Sequence, residues 1–252
     1  DSFHYQMLKD GAWPRRNQKF WTEIDKLMQQ VRYLEFTGGE PFMIKEHFDL
    51  LQRMVNKGIA HNVEIHYNTN GTHFPEHAES IWKHFKTVEV AFSIDDVDER
   101  FEYQRANAIW TEVNTNMDRF EQLRERNTNI QLQVCSTVNV FNVMYLEGLA
   151  NWIDQRSFNF VYWNMLHEAR YHSVGTLPER AKELVSNRLM SANVSDFHMK
   201  EFVKIVDFIQ AGTSLDGKEL RDNIKLVDCR RKQDLRDHHP ELADAIDYEG
   251  PQ

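Results

Sequence analysis

Five apolar segments recur along this sequence at intervals of about 30 residues, and a segment with helical periodicity follows each of them. The segments are residues 31–36, 62–70, 87–95, 129–140 and 158–166. In the second segment Val63, Ile65 and Tyr67 alternate with polar residues, as they do in a strand that is buried on one face. Strands and helices that alternate at this spacing predict an α/β fold with a parallel sheet, which either curls toward a barrel or stays open and doubly wound.

Helices are predicted where apolar residues recur every three or four positions. The predicted ranges are 20–28, 43–57, 75–85, 113–120, 146–153 and 176–190. In the last range Thr176 and Glu179 match a capping box, with Pro178 in the first turn of the helix. From about residue 195 the pattern changes to an apolar helix, a turn at 212–214 and a charged tail, so this part is interpreted as a smaller helical extension.

The composition of the chain excludes several classes of protein. Hydrophobic residues make up 41% of the chain, which favours a packed core over disorder. The formal net charge of −9 weighs against a nucleic-acid interface, which needs clustered lysine and arginine. The sequence has no run of about 18 apolar residues and no signal peptide, so neither a membrane span nor secretion is expected. Two cysteines without a CxxC spacing predict no disulfide framework and a reducing, cytoplasmic location.

Each predicted strand ends in small polar or acidic residues. These endings are Thr37, Gly38, Gly39 and Glu40; Asn68, Thr69 and Asn70; Ser93, Asp95 and Asp96; Ser136, Thr137 and Asn139; and Trp163, Asn164 and His167. In parallel α/β folds, ligand sites form at the carboxyl ends of the strands. Loops are polar in most proteins, so one such ending predicts little, but the five together favour a site.

The corner after the first strand has a specific chemical meaning. Gly38 and Gly39 let the backbone approach a ligand closely, and Glu40 offers a carboxylate suited to an ammonium group. Pro41 fits the first turn of the helix that follows. Because Glu40 would repel phosphate, the corner is a poor phosphate cradle, and it matches neither a P-loop nor a GxGxxG motif. The expected ligand therefore has an amino end like that of an amino acid.

Four short motifs in order resemble those of the radical S-adenosylmethionine enzymes, and more narrowly of their twitch-type subgroup. They are FTGGEP at 36–41, YNTNG at 67–71, FSID at 92–95 and EYQR at 102–105. The resemblance covers residues 20 to about 170 well and the remainder loosely. It implies a partial (β/α)6 TIM-like barrel that is incomplete at the N-terminus, with a small helical C-terminal extension. The implied domains are residues 1–194 and 195–252.

The resemblance also implies a role for eight residues in binding S-adenosylmethionine. Gly38, Gly39 and Glu40 would receive its amino group, and Asn68 and Asn70 would face it from the second loop. Ser93 and Asp95 would contact its ribose or methionine moiety, and Arg105 would bind its carboxylate through a bidentate pair. The alternatives from the residues alone are a salt bridge from Arg105 to Glu102 or Asp98, and a helix or turn cap made by Asp95.

The sequence departs from the family at the cluster motif. The family holds a 4Fe–4S cluster with three thiolates in a CxxxCxxC loop, and this sequence contains only Cys135 and Cys229. Cys135 is expected to be a packed core thiol. Residues 1–21 resemble the part of the family that follows the cluster loop, so the first strand and that loop are expected to be missing. The alternative is a relative that has lost its cluster; in either case this chain is expected to bind no cluster.

Three hypotheses on function follow. The first is a radical S-adenosylmethionine enzyme or a fragment of one. Its intact parent would use the cluster and S-adenosylmethionine to abstract hydrogen from an unknown small-molecule or peptide substrate. The second is a binding module without catalysis, and the third is an unrelated hydrolase that uses Asp95, Asp96 and Glu40 as acid and base, or a histidine-bound metal. Five histidines between residues 61 and 84 match no zinc pattern and are expected to be solvated or hydrogen-bonded. No catalytic residue and no metal ligand is assigned.

Overall fold

The structure is a computed structural model, and it describes residues 5–6 and 17–251. It contains five strands: β1 (Tyr33–Phe36), β2 (Glu64–Thr69), β3 (Thr87–Ser93), β4 (Ile130–Val138) and β5 (Phe160–Met165). They form one sheet in the order β1-β2-β3-β4-β5. The β1–β2 and β4–β5 pairs are parallel, as their registers Tyr33↔Glu64 and Gln133↔Phe160 show. All five predicted strands are confirmed, and the predicted ends differ by one or two residues at most.

Helices connect the strands and form the C-terminal part of the chain. They are α1 (Gln18–Leu27), α2 (Lys45–Asn56), α3 (Ala78–Trp82), α4 (Asp98–Gln104), α5 (Trp110–Arg126), α6 (Leu146–Asp154), α7 (Glu179–Met190), α8 (Asp196–Ala211), α9 (Lys218–Arg231), α10 (Leu235–His238) and α11 (Pro240–Ala245). The predicted helical nature of the extension is confirmed by α8 to α11. Among the described residues, no helix is long and apolar enough to cross a membrane. The interpretation of residues 1–21 concerns a segment that lies mostly outside the described residues.

Packing divides the chain into two units. The first comprises Asp1–Thr69, His73–Val90 and Gln122–Gln131. Its core forms between the apolar faces of β2, α2 and α3, where Tyr67 and Trp82 are fully buried and Trp82 Nε1 donates a hydrogen bond to the Tyr67 hydroxyl at 3.3 Å. Full burial of each large apolar side chain contributes about 1.5–3 kcal/mol. This core holds the loop at the carboxyl end of β1, where Phe42 contacts the rings of Tyr67 and Trp82.

The second unit comprises Asn70–Thr72, Ala91–Glu121 and Leu132–Gln252. In its core Phe92 and Phe120 pack edge to face with ring centroids 5.2 Å apart. On β5, Trp163 contacts the ring of Phe202 and donates a hydrogen bond to His198 Nδ1 at 3.2 Å, which fastens α8 to the sheet. The domain boundary predicted between residues 194 and 195 stays a prediction.

A fully buried carboxylate fastens the C-terminal segments within this second unit. Asp228 of α9 accepts hydrogen bonds from the hydroxyls of Tyr103 (2.9 Å) and Tyr248 (2.8 Å) and from the backbone N–H of Leu235 (2.9 Å). The three donors belong to α4, the C-terminal end and the start of α10. A buried carboxyl group costs less free energy when it is hydrogen-bonded, and three donors provide this for Asp228.

A fully buried histidine packs against one of these donors, Tyr103. His239 packs against the rings of Tyr103, Tyr145 and Phe141, with centroid distances of 5.0, 5.4 and 6.2 Å. Neither ring nitrogen has a hydrogen-bond partner among the described residues. The pKa of His239 is lowered to about 3, first by burial and then by the charges of Arg100 and His238, while Glu241 acts in the opposite direction. The ring is therefore neutral near pH 7.

The capping box predicted for α7 is wrong. The Thr176 hydroxyl donates to the backbone carbonyls of Arg170 and Ser173, both at 2.9 Å, because Thr176 belongs to a short 3-10 turn, Val174–Thr176. The helix begins at Glu179, after Pro178 in an extended conformation, and no side chain caps it. The carboxylate of Glu179 instead accepts a hydrogen bond from the Ser214 hydroxyl.

Candidate ligand-binding site

The corner after β1 adopts the conformation that its glycines allow. Gly38 has φ 81° and Gly39 has φ 59°, values that residues with a side chain rarely adopt. A Cβ atom at either glycine would meet no atom within 4 Å, so both face open space and the backbone rather than crowding requires glycine. Pro41 begins a 3-10 turn, Pro41–Met43, and α2 starts only at Lys45. The prediction that Pro41 lies in the first turn of the helix is therefore corrected to this short turn.

Glu40 is nearly buried and held in place. Its side chain is 8% exposed, and Oε1 accepts a hydrogen bond from the backbone N–H of Phe42 at 3.2 Å. The hydroxyl of Thr69, the last residue of β2, lies 2.9 Å from both carboxylate oxygens. These two donors orient the carboxylate. Sequence reasoning noted Thr69 as a polar strand ending but gave it no role.

The two asparagines of the second loop differ in position. Asn68 is half-buried, and it leaves β2 on the face opposite to Thr69 because successive side chains alternate. On the same face His66 Nδ1 lies 2.5 Å from Glu89 Oε1. In the second unit, Asn70 Oδ1 accepts hydrogen bonds from the backbone N–H and the hydroxyl of Thr72, at 2.9 and 2.6 Å, and so closes the turn after β2. The sequence did not predict this turn-closing role.

Within the second unit, the structure brings Asp95 and Arg105 together. Arg105 Nη2 donates to Asp95 Oδ2 at 2.7 Å, and Asp95 Oδ1 accepts from the backbone N–H of Thr137 at 2.8 Å. Both alternatives considered for these residues are therefore wrong. The Glu102 carboxylate instead accepts a hydrogen bond from the backbone N–H of Trp110. The Asp95 carboxylate accepts from Thr137 of β4 and does not cap α4. Ser93, the last residue of β3, is half-buried.

Arg105 keeps a buried donor without a partner among the described residues. Its Nε is buried and has no hydrogen-bond partner in the part of the chain that the structure describes. Its side chain is 26% exposed, so the guanidinium lies at the edge of the interior. An unsatisfied buried N–H costs on the order of 1–3 kcal/mol, and an incoming acceptor would remove that cost.

Asp96 is buried and bound to residues near it in the sequence. It is 1% exposed and accepts hydrogen bonds from Val97 N–H at 2.8 Å and from Arg100 Nε at 3.1 Å. Burial raises the pKa of Asp96 to about 7, and the Arg100 guanidinium opposes the rise. Because the carboxylate is turned into this pair, the arrangement gives no support to a hydrolase in which Asp95 and Asp96 act together.

A cavity of about 380 Å³ lies beside the Asp95–Arg105 pair in the second unit. It is in the range of small-molecule pockets. The loops after β3, β4 and β5 contribute Asp95, Asn139, Phe141 and Leu166. Helix α9 closes the other side with Asn223, Ile224, Val227 and Arg231. Sequence reasoning treated this helix as part of a charged tail and missed its part in the site; no sequence signal places it there.

Histidines and cysteines offer no cluster of ligands. His61, His73, His77 and His84 are exposed, and His66 pairs with Glu89 as described above. Among the described residues no three His, Cys, Asp or Glu side chains are grouped to hold a metal ion. Cys229 is exposed on α9, and Cys135 is half-buried rather than a packed core thiol, because its neighbour across the β4–β5 pair is the exposed Tyr162.

Comparisons with known proteins agree with the motifs. The family model described as the radical SAM superfamily matches residues 12–153, more than half of the chain. A comparison with curated proteins finds no match. Native anSMEcpe with bound AdoMet has a similar structure, with a TM-score of 0.51, 15% identity, and coverage of 86% of this chain and 58% of that chain. Native anSMEcpe with bound AdoMet and Kp18Cys peptide gives a TM-score of 0.47 at 15% identity, with coverage of 77% of this chain and 51% of the other.

The first of these likenesses concerns the fold alone, and the predicted partial barrel agrees with it. The chain spans about half the length of the solved structures that it matches.

Proposed function

Because this chain belongs to the radical SAM superfamily, we propose that it forms the S-adenosylmethionine-binding part of an enzyme that acts on a small-molecule or peptide substrate. The observation that supports this most is Arg105. Its guanidinium lies at the edge of a cavity, is oriented by Asp95, and keeps a buried Nε–H without a partner among the described residues. A carboxylate is the natural acceptor for such a group.

In the first unit, the corner after β1 offers a negative charge that suits the amino group of S-adenosylmethionine. The Glu40 carboxylate, fixed by Thr69 and Phe42, suits an ammonium group. Gly38 and Gly39 face open space and would let a ligand approach the backbone. We extend the role to Asn68, Asn70, Ser93 and Asp95 on the strength of the motifs.

The iron–sulfur cluster of the family does not fit the residues of this chain. Such a cluster needs three convergent thiolates, and the chain has two cysteines, one in β4 and one on α9. We therefore assign the cluster, and hydrogen abstraction from the substrate, to the intact protein. The shortage of thiolates also supports a second candidate function, that of a module that binds the ligand without catalysis. We further propose that residues 195–252 form a twitch-type extension and that the protein is cytoplasmic.

The cysteine count leads to a direct prediction. Anaerobic reconstitution of the 252-residue chain with iron and sulfide is expected to give no stoichiometric cluster, because two thiolates from different elements cannot hold three irons. Iron and sulfide analysis, with absorbance in the thiolate-to-iron charge-transfer region, measures this. A Cys135→Ser, Cys229→Ser double variant gives the background for adventitious iron. One cluster per chain, lost in the double variant, would show that other residues complete the ligand set.

Arg105→Lys tests the proposed binding of S-adenosylmethionine. The substitution is expected to weaken binding by roughly 1–3 kcal/mol in the intact protein, because lysine keeps the charge but loses the planar pair of donors. Calorimetry measures the affinity. Arg180→Lys is the matched control, since Arg180 forms an exposed ion pair with Asp244. Equal affinities for the wild type and Arg105→Lys would leave Arg105 with a structural role in its pair with Asp95.

A further inference from the structure

The cavity beside Arg105 has a second guanidinium that no carboxylate neutralises. Arg231, near the end of α9, donates from Nη1 to the backbone carbonyl of Tyr103 at 3.0 Å. Within the described residues no carboxylate oxygen lies within 4.0 Å of it. Arg105, by contrast, is paired with Asp95, the only acidic residue of the lining. The lining thus has one excess positive charge, in a chain whose formal net charge is −9.

Two neutral polar side chains accompany this charge. His172 lines the cavity, and its Nε2 is buried without a partner among the described residues. Burial lowers the pKa of His172, and Asn223 partly offsets that effect, so the ring is neutral near pH 7 and adds no second charge. Asn223 also lines the cavity and donates from Nδ2 to the Tyr171 hydroxyl at 3.2 Å. The polar part of the lining suits one negative charge.

Four apolar side chains also line the cavity. Phe141, Leu166, Ile224 and Val227 face the cavity, and the Phe141 ring is fixed by contacts with Tyr103 and His172 at centroid distances of 5.9 and 5.2 Å. Apolar walls with a few polar groups are typical of pockets that bind small organic molecules. A doubly charged phosphate would face Asp95 with only one excess guanidinium, whereas a single carboxylate on an apolar body matches both parts of the lining.

We infer that the α9 side of this cavity binds the substrate of the proposed enzyme, next to the Arg105 that would take the carboxylate of S-adenosylmethionine, and that the substrate is a carboxylate with an apolar body, held by Arg231. The inference rests on the proposed function only in identifying the bound molecule as the substrate. Arg231 is exposed at the mouth of the cavity, so a ligand reaches its free donors without rearrangement of the fold. Arg231 is then a specificity-determining residue, and Val227 on the same helix limits the size of the apolar body.

Calorimetric titration of the 252-residue chain with 4-phenylbutanoate and its neutral analogue 4-phenylbutanamide tests the inference. We expect the acid to bind roughly tenfold more tightly than the amide, as one charge-assisted hydrogen bond would give. Arg231→Gln should reduce that preference to about twofold or less. Arg230→Gln is the matched control, because the neighbouring arginine on α9 is exposed and does not line the cavity.

Several results would overturn the inference: no binding of the acid, equal binding of acid and amide, or equal losses in the two arginine variants. Val227→Trp adds a variant that keeps Arg231 and fills the cavity, so it should abolish binding of both probes while the melting temperature stays near that of the wild type. Binding of both probes to this variant would place their site elsewhere. These titrations need neither S-adenosylmethionine nor a cluster. Failure of Arg105→Lys to weaken S-adenosylmethionine binding would therefore count against the proposed function and not against the carboxylate site.

Discussion

Asp228→Ala is expected to destabilise the second unit by roughly 3–5 kcal/mol. The substitution removes the acceptor of three hydrogen bonds at a fully buried position. The hydroxyls of Tyr103 and Tyr248 and the N–H of Leu235 then lose their partner while they remain inside. Because a buried donor without an acceptor costs its full desolvation energy, the loss is larger than the net worth of the bonds themselves.

Denaturant unfolding followed by circular dichroism measures this effect. Asp222→Ala is the matched control, because Asp222 lies on the same helix, is exposed, and forms only an i,i+4 pair with Lys218. That variant should change the free energy of unfolding by about 0.5 kcal/mol or less. If Asp228→Ala were no more destabilising than Asp222→Ala, the three hydrogen bonds would not hold the C-terminal segments as described.

His239→Phe is expected to make the protein less sensitive to acid. The unfolded chain protonates this histidine near its ordinary pKa of 6.5, whereas the folded state resists protonation down to about pH 3. A group that is harder to protonate when folded destabilises the fold as pH falls below 6.5, since the unfolded state then binds more protons. Phenylalanine removes this difference. The loss of stability between about pH 7 and about pH 4.5 should therefore shrink by roughly 2–3 kcal/mol.

The quantity to compare is the difference in unfolding free energy between the two pH values, not the stability at one pH. Any cost of fitting the larger ring affects both values alike and cancels. His84→Phe provides the control, because His84 is exposed and its replacement should leave the pH dependence unchanged. An acid dependence in His239→Phe that equals that of the wild type would mean that the folded protein already protonates His239 above pH 4.5.

The strands were predictable because their signal is local. Val63, Ile65 and Tyr67 alternate in the sequence, and all three are buried in β2. Helix α4 was missed for the converse reason: in Asp98–Gln104 only Phe101 and Tyr103 are buried, too few to show a helical period. The capping box at Thr176 failed because a hydroxyl can also bind nearby carbonyls in a turn, and the sequence does not distinguish the two.

The candidate site was predictable only in part. The motifs singled out Asp95 and Arg105, but not that they bind each other, because that contact depends on how α4 packs at the end of β3. The hydrogen bond from Thr69 to Glu40 joins the end of β2 to the loop after β1 and depends on the register between the two strands. Helix α9 lines the cavity because Asp228 fastens it to Tyr103 by tertiary packing. In the sequence Asp228 is one of many charged residues in this part of the chain, so nothing there predicts its role.

The exposed thiol of Cys229 gives direct access to the cavity wall by chemical labelling. It lies on α9 two residues from both Val227 and Arg231, which line the cavity, while its own side chain is directed outward. The sequence has only one other thiol, and Cys135 is half-buried in the sheet. A maleimide dye should therefore react first at Cys229. Fluorescence from that position would report ligand entry in the wild-type chain, without an engineered attachment point.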